Sequence, residues 1–185
     1  MIADLVKHHV AITSTLAVFE AFDGGLPGMD QRYWNTLIPQ LQSSVQSARD
    51  RVEPGSYLQL VKKEQEFERA FVKAGGLLMA GADPTGNGGA PAGYADQRNI
   101  ELLVEAGFTF PEALQIATLN GATFLGEEYR VGSLAVGKHA DLVVIDGNPA
   151  SQVSDIRKVR IVFRDGVGYD PRKLMDSVVG SVGLH

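Results

Sequence analysis

The 185-residue chain is 44% hydrophobic, enough to bury the core of one domain or one and a half. It has no cysteine, which excludes disulfides, thiolate nucleophiles and Cys-ligated zinc. A net charge of -5 argues against broad electrostatic binding to nucleic acid, and no apolar run approaches the ~20 residues that span a bilayer, so neither nucleic acid nor membrane is an expected partner.

The first stretch, MIADLVKHHVAITSTL, lacks a basic-apolar-small leader pattern because Asp4 and the His8-His9 pair interrupt it, and it reads like the interior of a domain. Val10 to Leu16 is short and β-branched, which predicts a buried strand, and Gly24, Gly25, Pro27 and Gly28 mark a loop after it. Leu41, Val45, Ala48 and Val52 share one helical face. Leu60, Phe67, Phe71 and Ala74 repeat the pattern after the Pro54-Gly55 break, with Glu64, Glu66 and Glu68 read as the solvated side of that helix. Gly75-Gly76 ends it, and Leu77 to Ala80 then leaves room only for a strand.

Farther along, Ile100, Leu103, Val104 and Ala106 predict a helix that stops at Gly107. Thr109 and Glu112 match a capping box, opening a helix that runs through Leu114 and Ala117 and fades at Asn120-Gly121. From Tyr129 the texture changes. A glycine-punctuated run, Val131 to Lys138, leads to a strong strand, Ala140 to Asp146, and an alternating strand, Val159 to Phe163, ends at the hairpin signal Asp165-Gly166. The tail carries one short helix near Leu174 to Val179. No internal repeat occurs. The order is α/β, followed by a small β unit.

Chemistry concentrates in LMAGADPTGNGG, residues 78–89. A phosphate cradle is weakly supported: no Lys follows the glycines, and Pro91 stands where G-x-G-x-x-G needs its last Gly. Asp-Pro-Thr-Gly is good turn chemistry, since Asp accepts local N–H bonds and Pro fixes φ. The third reading makes Asp83 functional. It follows a predicted strand, where parallel α/β folds bind ligands, and the Gly/Pro-rich connection to Asp96 would let backbone approach a ligand. The turn and functional readings both stand on the residues alone. The other candidates are thin. His8, His9, His139 and His185 show no metal-binding spacing: His8-His9 reads as a surface helix terminus and His139 as an exposed turn residue. Thr13, Ser14 and Thr15 read as strand residues, because no G-x-S-x-G elbow exists.

Taken together, Leu77 to Asp83 with its glycine-rich loop, Asn99 to Gly107, Pro111 to Leu114, Ala117 to Ala122, Val131 to Asp146 and Val162 to Gly166 resemble the C-terminal portion of the amidohydrolase superfamily. The imidazolonepropionase-like and dipeptidase-like metal-dependent hydrolases are the nearest subgroup, and Gly132 to Asp146 is the most specific stretch. The resemblance implies a TIM-like (β/α)8 barrel with a small β-sandwich. This chain would hold the last two βα units in residues 1–128, a sandwich portion in 129–170 and a tail in 171–185. It also implies hydrolysis of a carbon–nitrogen bond in a small molecule or short peptide, using one or two divalent metals, usually zinc, to acidify water. Asp83 matches the family's last-strand Asp, a metal ligand and catalytic proton shuttle, and Thr85 and Asn87 are substrate-binding candidates by location. The family's His ligands and its carboxylated Lys or Glu have no counterpart here. The implied partner is therefore a missing N-terminal barrel portion, and this chain by itself is expected neither to hold the metal nor to turn over substrate. The alternative is a non-catalytic binding or scaffolding remnant that pairs its open strand edges with a partner chain, and homo-oligomerisation is compatible with either reading.

Overall fold

The computed structural model describes residues 1–24, 26, 28–53, 55–84, 86 and 89–183. In chain order, α1 (Ile2–Lys7) leads to β1 (Ile12–Ser14), and α2 (Leu16–Ala21), α3 (Gln31–Thr36), α4 (Pro39–Arg51) and α5 (Leu58–Lys73) carry the chain to β2 (Leu78–Ala80). Next come α6 (Tyr94–Glu105), α7 (Phe110–Ala117) and α8 (Leu119–Phe124). The last part holds β3 (Leu142–Ile145), a 3-10 turn (Val153–Arg157), β4 (Val159–Arg164), β5 (Val167–Tyr169) and α9 (Pro171–Ser177).

β1 and β2 pair in parallel, Ile12 opposite Leu78 and Ser14 opposite Ala80. Parallel strands need a crossover, and the helices from α2 to α5 supply it. β3, β4 and β5 form a separate antiparallel meander in that order. Its hairpin closes at Asp165 (φ 49) and Gly166 (φ 79), two successive left-handed residues as a type I′ turn requires. The mixed α/β class expected from the sequence is what the chain adopts.

Several expected elements shift. The strand read over Val10 to Leu16 is only three residues long, because Leu16, fully buried with Ala17 and Val18, already belongs to α2. The apolar run straddles a strand-to-helix turn. α3 also lay outside the expectation; Asp30 starts it, its carboxylate accepting from the backbone N–H groups of Arg32 (2.8 Å) and Tyr33 (3.3 Å). On α5 the buried face runs through Val61, Glu68 and Phe71, so Leu60 is exposed and Glu68 lies inside rather than on the solvated side. Thr118 (φ -131, ψ -74) breaks the helix expected to fade at Asn120-Gly121, and α8 continues through Gly121. Residues 131–138 form turns, and α9 starts earlier than expected, where the Asp170 carboxylate accepts from Arg172 N–H (2.8 Å).

The core lies between the parallel pair and α2, α5, α6 and α7; Leu16, Phe71, Leu78, Tyr94, Leu102 and Leu103 are its large side chains. The chain's end returns to α3: Val182 N–H donates to Thr36 O (2.9 Å) and Ile38 N–H to Val182 O (3.1 Å). Among the described residues no helix is long and apolar enough to cross a membrane.

Candidate active site

Because β1 and β2 run parallel, their C-terminal ends open on one rim. Gly81 N–H donates to Ser14 O (3.0 Å), tying the exit of β2 to the end of β1. Ala82 is buried, and Asp83 beyond it is exposed with φ 43. A residue before proline is normally confined to extended backbone, and a left-handed non-glycine residue costs roughly 1–3 kcal/mol. Asp tolerates that region better than most side chains. Asp83 thus stands exposed in left-handed backbone just past the end of β2. The other two residues read as substrate contacts, Thr85 and Asn87, lie outside the described residues. Past them the connection returns to the core: Ala90 is fully buried, and Leu26 N–H, from the segment after α2, donates to Gly89 O (3.3 Å).

Behind the rim lies a buried polar cluster. Asn99, on α6 and 1% exposed, donates from Nδ2 to Ser14 O (3.1 Å) and accepts at Oδ1 from Ala17 N–H (3.1 Å). One side chain thus satisfies the last carbonyl of β1 and a free N–H at the start of α2. Glu68 reaches the same place from α5. Burial pushes its carboxyl up to about 7; a hydrogen bond with the Ser14 side chain opposes the shift, and Glu64 adds to it. Neither residue was singled out as functional from sequence. The signal was present: Asn99 precedes Leu102 and Leu103 on the helix's apolar face, and Glu68 stands seven residues after Val61 and three before Phe71.

A second network joins the rim helices to the β unit. The Arg98 guanidinium bonds Glu20 of α2 through two of its three nitrogens (2.7 Å each), and through the third Glu101 (3.0 Å) and Glu105 (2.7 Å). Arg157, from the 3-10 turn, bonds Glu101 (2.7 Å) and stacks over the Tyr94 ring at 4.6 Å. A groove of about 620 Å³ lies between α5, α6 and α7, lined by Lys62, Glu66, Arg69, Lys73, Phe108 and Glu112 among others, but Asp83 is not part of it.

His185 lies outside the described residues, and the described histidines do not gather at the rim. His8 caps α1 and His9 follows it, both exposed, and His139 sits 3.6 Å from Asp165 beside the hairpin. Among the described residues no group of three or more His, Asp or Glu could hold a metal ion. Asp83 offers one carboxylate, whereas a catalytic zinc takes about three protein ligands, so these residues do not fit a complete metal centre.

The model of the amidohydrolase family matches residues 56–168. The chain belongs to the amidohydrolase family. It is 36% identical over 93 residues to an imidazolonepropionase of Symbiobacterium thermophilum, covering 50% of this chain and 21% of that protein. It is 45% identical over 58 residues to a 5'-deoxyadenosine deaminase of Methanobrevibacter smithii, covering 31% and 13%. Among solved structures, a bottromycin amidohydrolase superposes at TM-score 0.67 with 25% identity, covering 96% of this chain and 42% of that one. A prolidase complexed with N-methylphosphonate-L-proline superposes at TM-score 0.65 with 20% identity, covering 91% and 37%, a likeness of fold. This amidohydrolase chain therefore spans well under half the length of these relatives. The family is in general metal-dependent.

Proposed function

We propose that this chain is the C-terminal portion of a metal-dependent amidohydrolase that hydrolyses an amide or cyclic amide carbon–nitrogen bond in a small molecule or short peptide. The observation that carries this reading is Asp83, an exposed carboxylate held in left-handed backbone on the C-terminal rim of a parallel strand pair, within the segment that matches the family. Residues 1–128 are then the last two βα units of a (β/α)8 barrel, residues 129–170 part of its β-sandwich and residues 171–185 a tail. Among the described residues β1 and β2 pair only with each other, which supports this, because parallel sheets are found buried within larger ones. The portion that completes the barrel also brings the ligands for a divalent metal, zinc by preference. Asp83 accepts a proton from the attacking water and delivers it to the leaving amine, and Thr85 and Asn87 contact substrate. Names such as imidazolonepropionase, deaminase and prolidase among the relatives favour a carbon–nitrogen bond as the point of attack.

The test is Asp83→Asn in the complete protein, joined to its N-terminal portion. Turnover should fall by at least about 100-fold with the thermal transition unchanged, as for loss of a group moving protons in the transition state. Retained turnover would leave Asp83 a turn residue. If the complete protein binds no stoichiometric metal and hydrolyses no amide, the chain is instead a binding or scaffolding module that uses its free strand edges.

A further inference from the structure

The buried cluster behind the rim holds one group that the proposed chemistry does not use. Glu68 is 4% exposed, and its Oε2 is buried without any hydrogen-bond partner. Its neighbour Ser14 is fully buried, and the Ser14 hydroxyl and carbonyl both lie within reach of Asn99 Nδ2 (3.4 and 3.1 Å). Among the described residues no Lys, Arg or His forms an ion pair with Glu68. On its own helix Glu64 repels it. Against α5 pack α1, with Asp4 and Lys7, α2, with Glu20, and α6, with Arg98, Glu101 and Glu105, whose Leu102 carbonyl accepts from Gln65 Nε2 (3.0 Å); β2 carries no charge. Asp4 pairs with the N-terminal ammonium (3.2 Å), and Glu20 is held by Arg98, which α6 also commits to Glu101 and Glu105.

We propose that Glu68 is a pH-operated latch: as a neutral acid it packs α5 onto the end of β1, and its ionisation destabilises that contact. An anion here would be desolvated and unpaired, the most costly state for a buried carboxyl, whereas the neutral acid leaves only a weak acceptor unsatisfied. Its position at Ser14 places the effect at the strand end and α2 start that support the rim. Control of the candidate site therefore rests on the reading of Asp83, but the latch itself does not.

The sign is fixed by linkage. The folded-state pKa, about 7, lies above the ordinary carboxyl value of 4.5. The folded chain then holds a proton that the unfolded chain has lost, and stability falls as pH rises between these values. Thermal unfolding of the full chain and of Glu68→Gln, from pH 4.5 to 8.5, tests this. The Gln side chain keeps the shape and cannot ionise. The folded-to-unfolded ratio of the native chain should fall relative to the variant by on the order of 100-fold over that range. Hydrogen exchange of the amides of residues 14–18, corrected for intrinsic rate, should speed up with pH only in the native chain. Parallel stability profiles would overturn the latch. Should Glu68→Gln fail to fold, carbon-13 titration of the native Glu68 carboxyl decides: a midpoint near 7 supports it, and one near 4.5 sinks it. None of these outcomes depends on metal or turnover, so they are separable from the Asp83→Asn result.

Discussion

At the scale of single residues, Asn99 ties the rim together through its amide. Its amide joins the end of β1 to the start of α2, and through the shared Ser14 carbonyl it also touches the bond that holds Gly81. Asn99→Leu keeps the volume but orphans the buried N–H of Ala17, while the Ser14 carbonyl keeps its bond from Gly81. An unsatisfied buried group costs about 1–3 kcal/mol, so the variant should lose about 1–3 kcal/mol, read from urea unfolding. A loss under about 1 kcal/mol would show that the rim does not need this amide. The same scale explains why the candidate site was only partly legible. Asp83 stands out in sequence because a lone carboxylate follows a short apolar run into a glycine-rich turn. Glu68 and Asn99 do not stand out, because a polar residue on a helix shows its burial only once the helix's rotation is known.

Among the elements, α7 is the one whose start was written most clearly in the sequence. The Thr109 hydroxyl accepts from Glu112 N–H (3.4 Å), while the Glu112 carboxylate accepts from Thr109 N–H (2.7 Å). Both bonds to Thr109, backbone first, hold the Glu112 carboxyl below its ordinary value. Thr109→Ala should cost about 1 kcal/mol, visible as a lower denaturant midpoint with an unchanged slope. The part of the cap contributed by Glu112 is present above the ordinary carboxyl range and is lost as pH falls through its lowered value. Elsewhere the element ends moved for local reasons. The strand into α2 was over-read because Leu16 is as apolar as the strand before it, and the bend at Thr15 leaves no compositional mark. α5 was placed correctly along the chain, but Val61 and Glu68 rather than Leu60 and Phe67 share its buried face with Phe71, a choice made by packing in the core.

For the molecule as a whole, Arg98 is the centre of the charge network linking α2 and α6, and Glu101 carries that network on to Arg157 in the 3-10 turn between β3 and β4. With its side chain only 11% exposed, Arg98 cannot be removed without stranding Glu20 and leaving Glu101 to Arg157 alone. Arg98→Met should destabilise by about 3–5 kcal/mol, the usual cost of breaking a buried ion pair from one side. Differential scanning calorimetry would check it, and a shift of less than a degree in the transition would refute it.

The sequence by itself determined the kind of chain this is: the α/β order, the family, the capping box, the Asp165-Gly166 hairpin and the isolation of Asp83 after a short strand. These are local signals, set by turn chemistry, capping and the period of apolar residues, and they survive without knowledge of neighbours. Only the tertiary structure decided that β1 and β2 pair in parallel with their ends on one rim. It also decided that Glu68 points inward beside Ser14, and that Asn99 spends its amide on backbone from two other elements. Those outcomes depend on which faces meet, and the free energy of burying a polar group is set by partners 54 to 85 residues away in the chain.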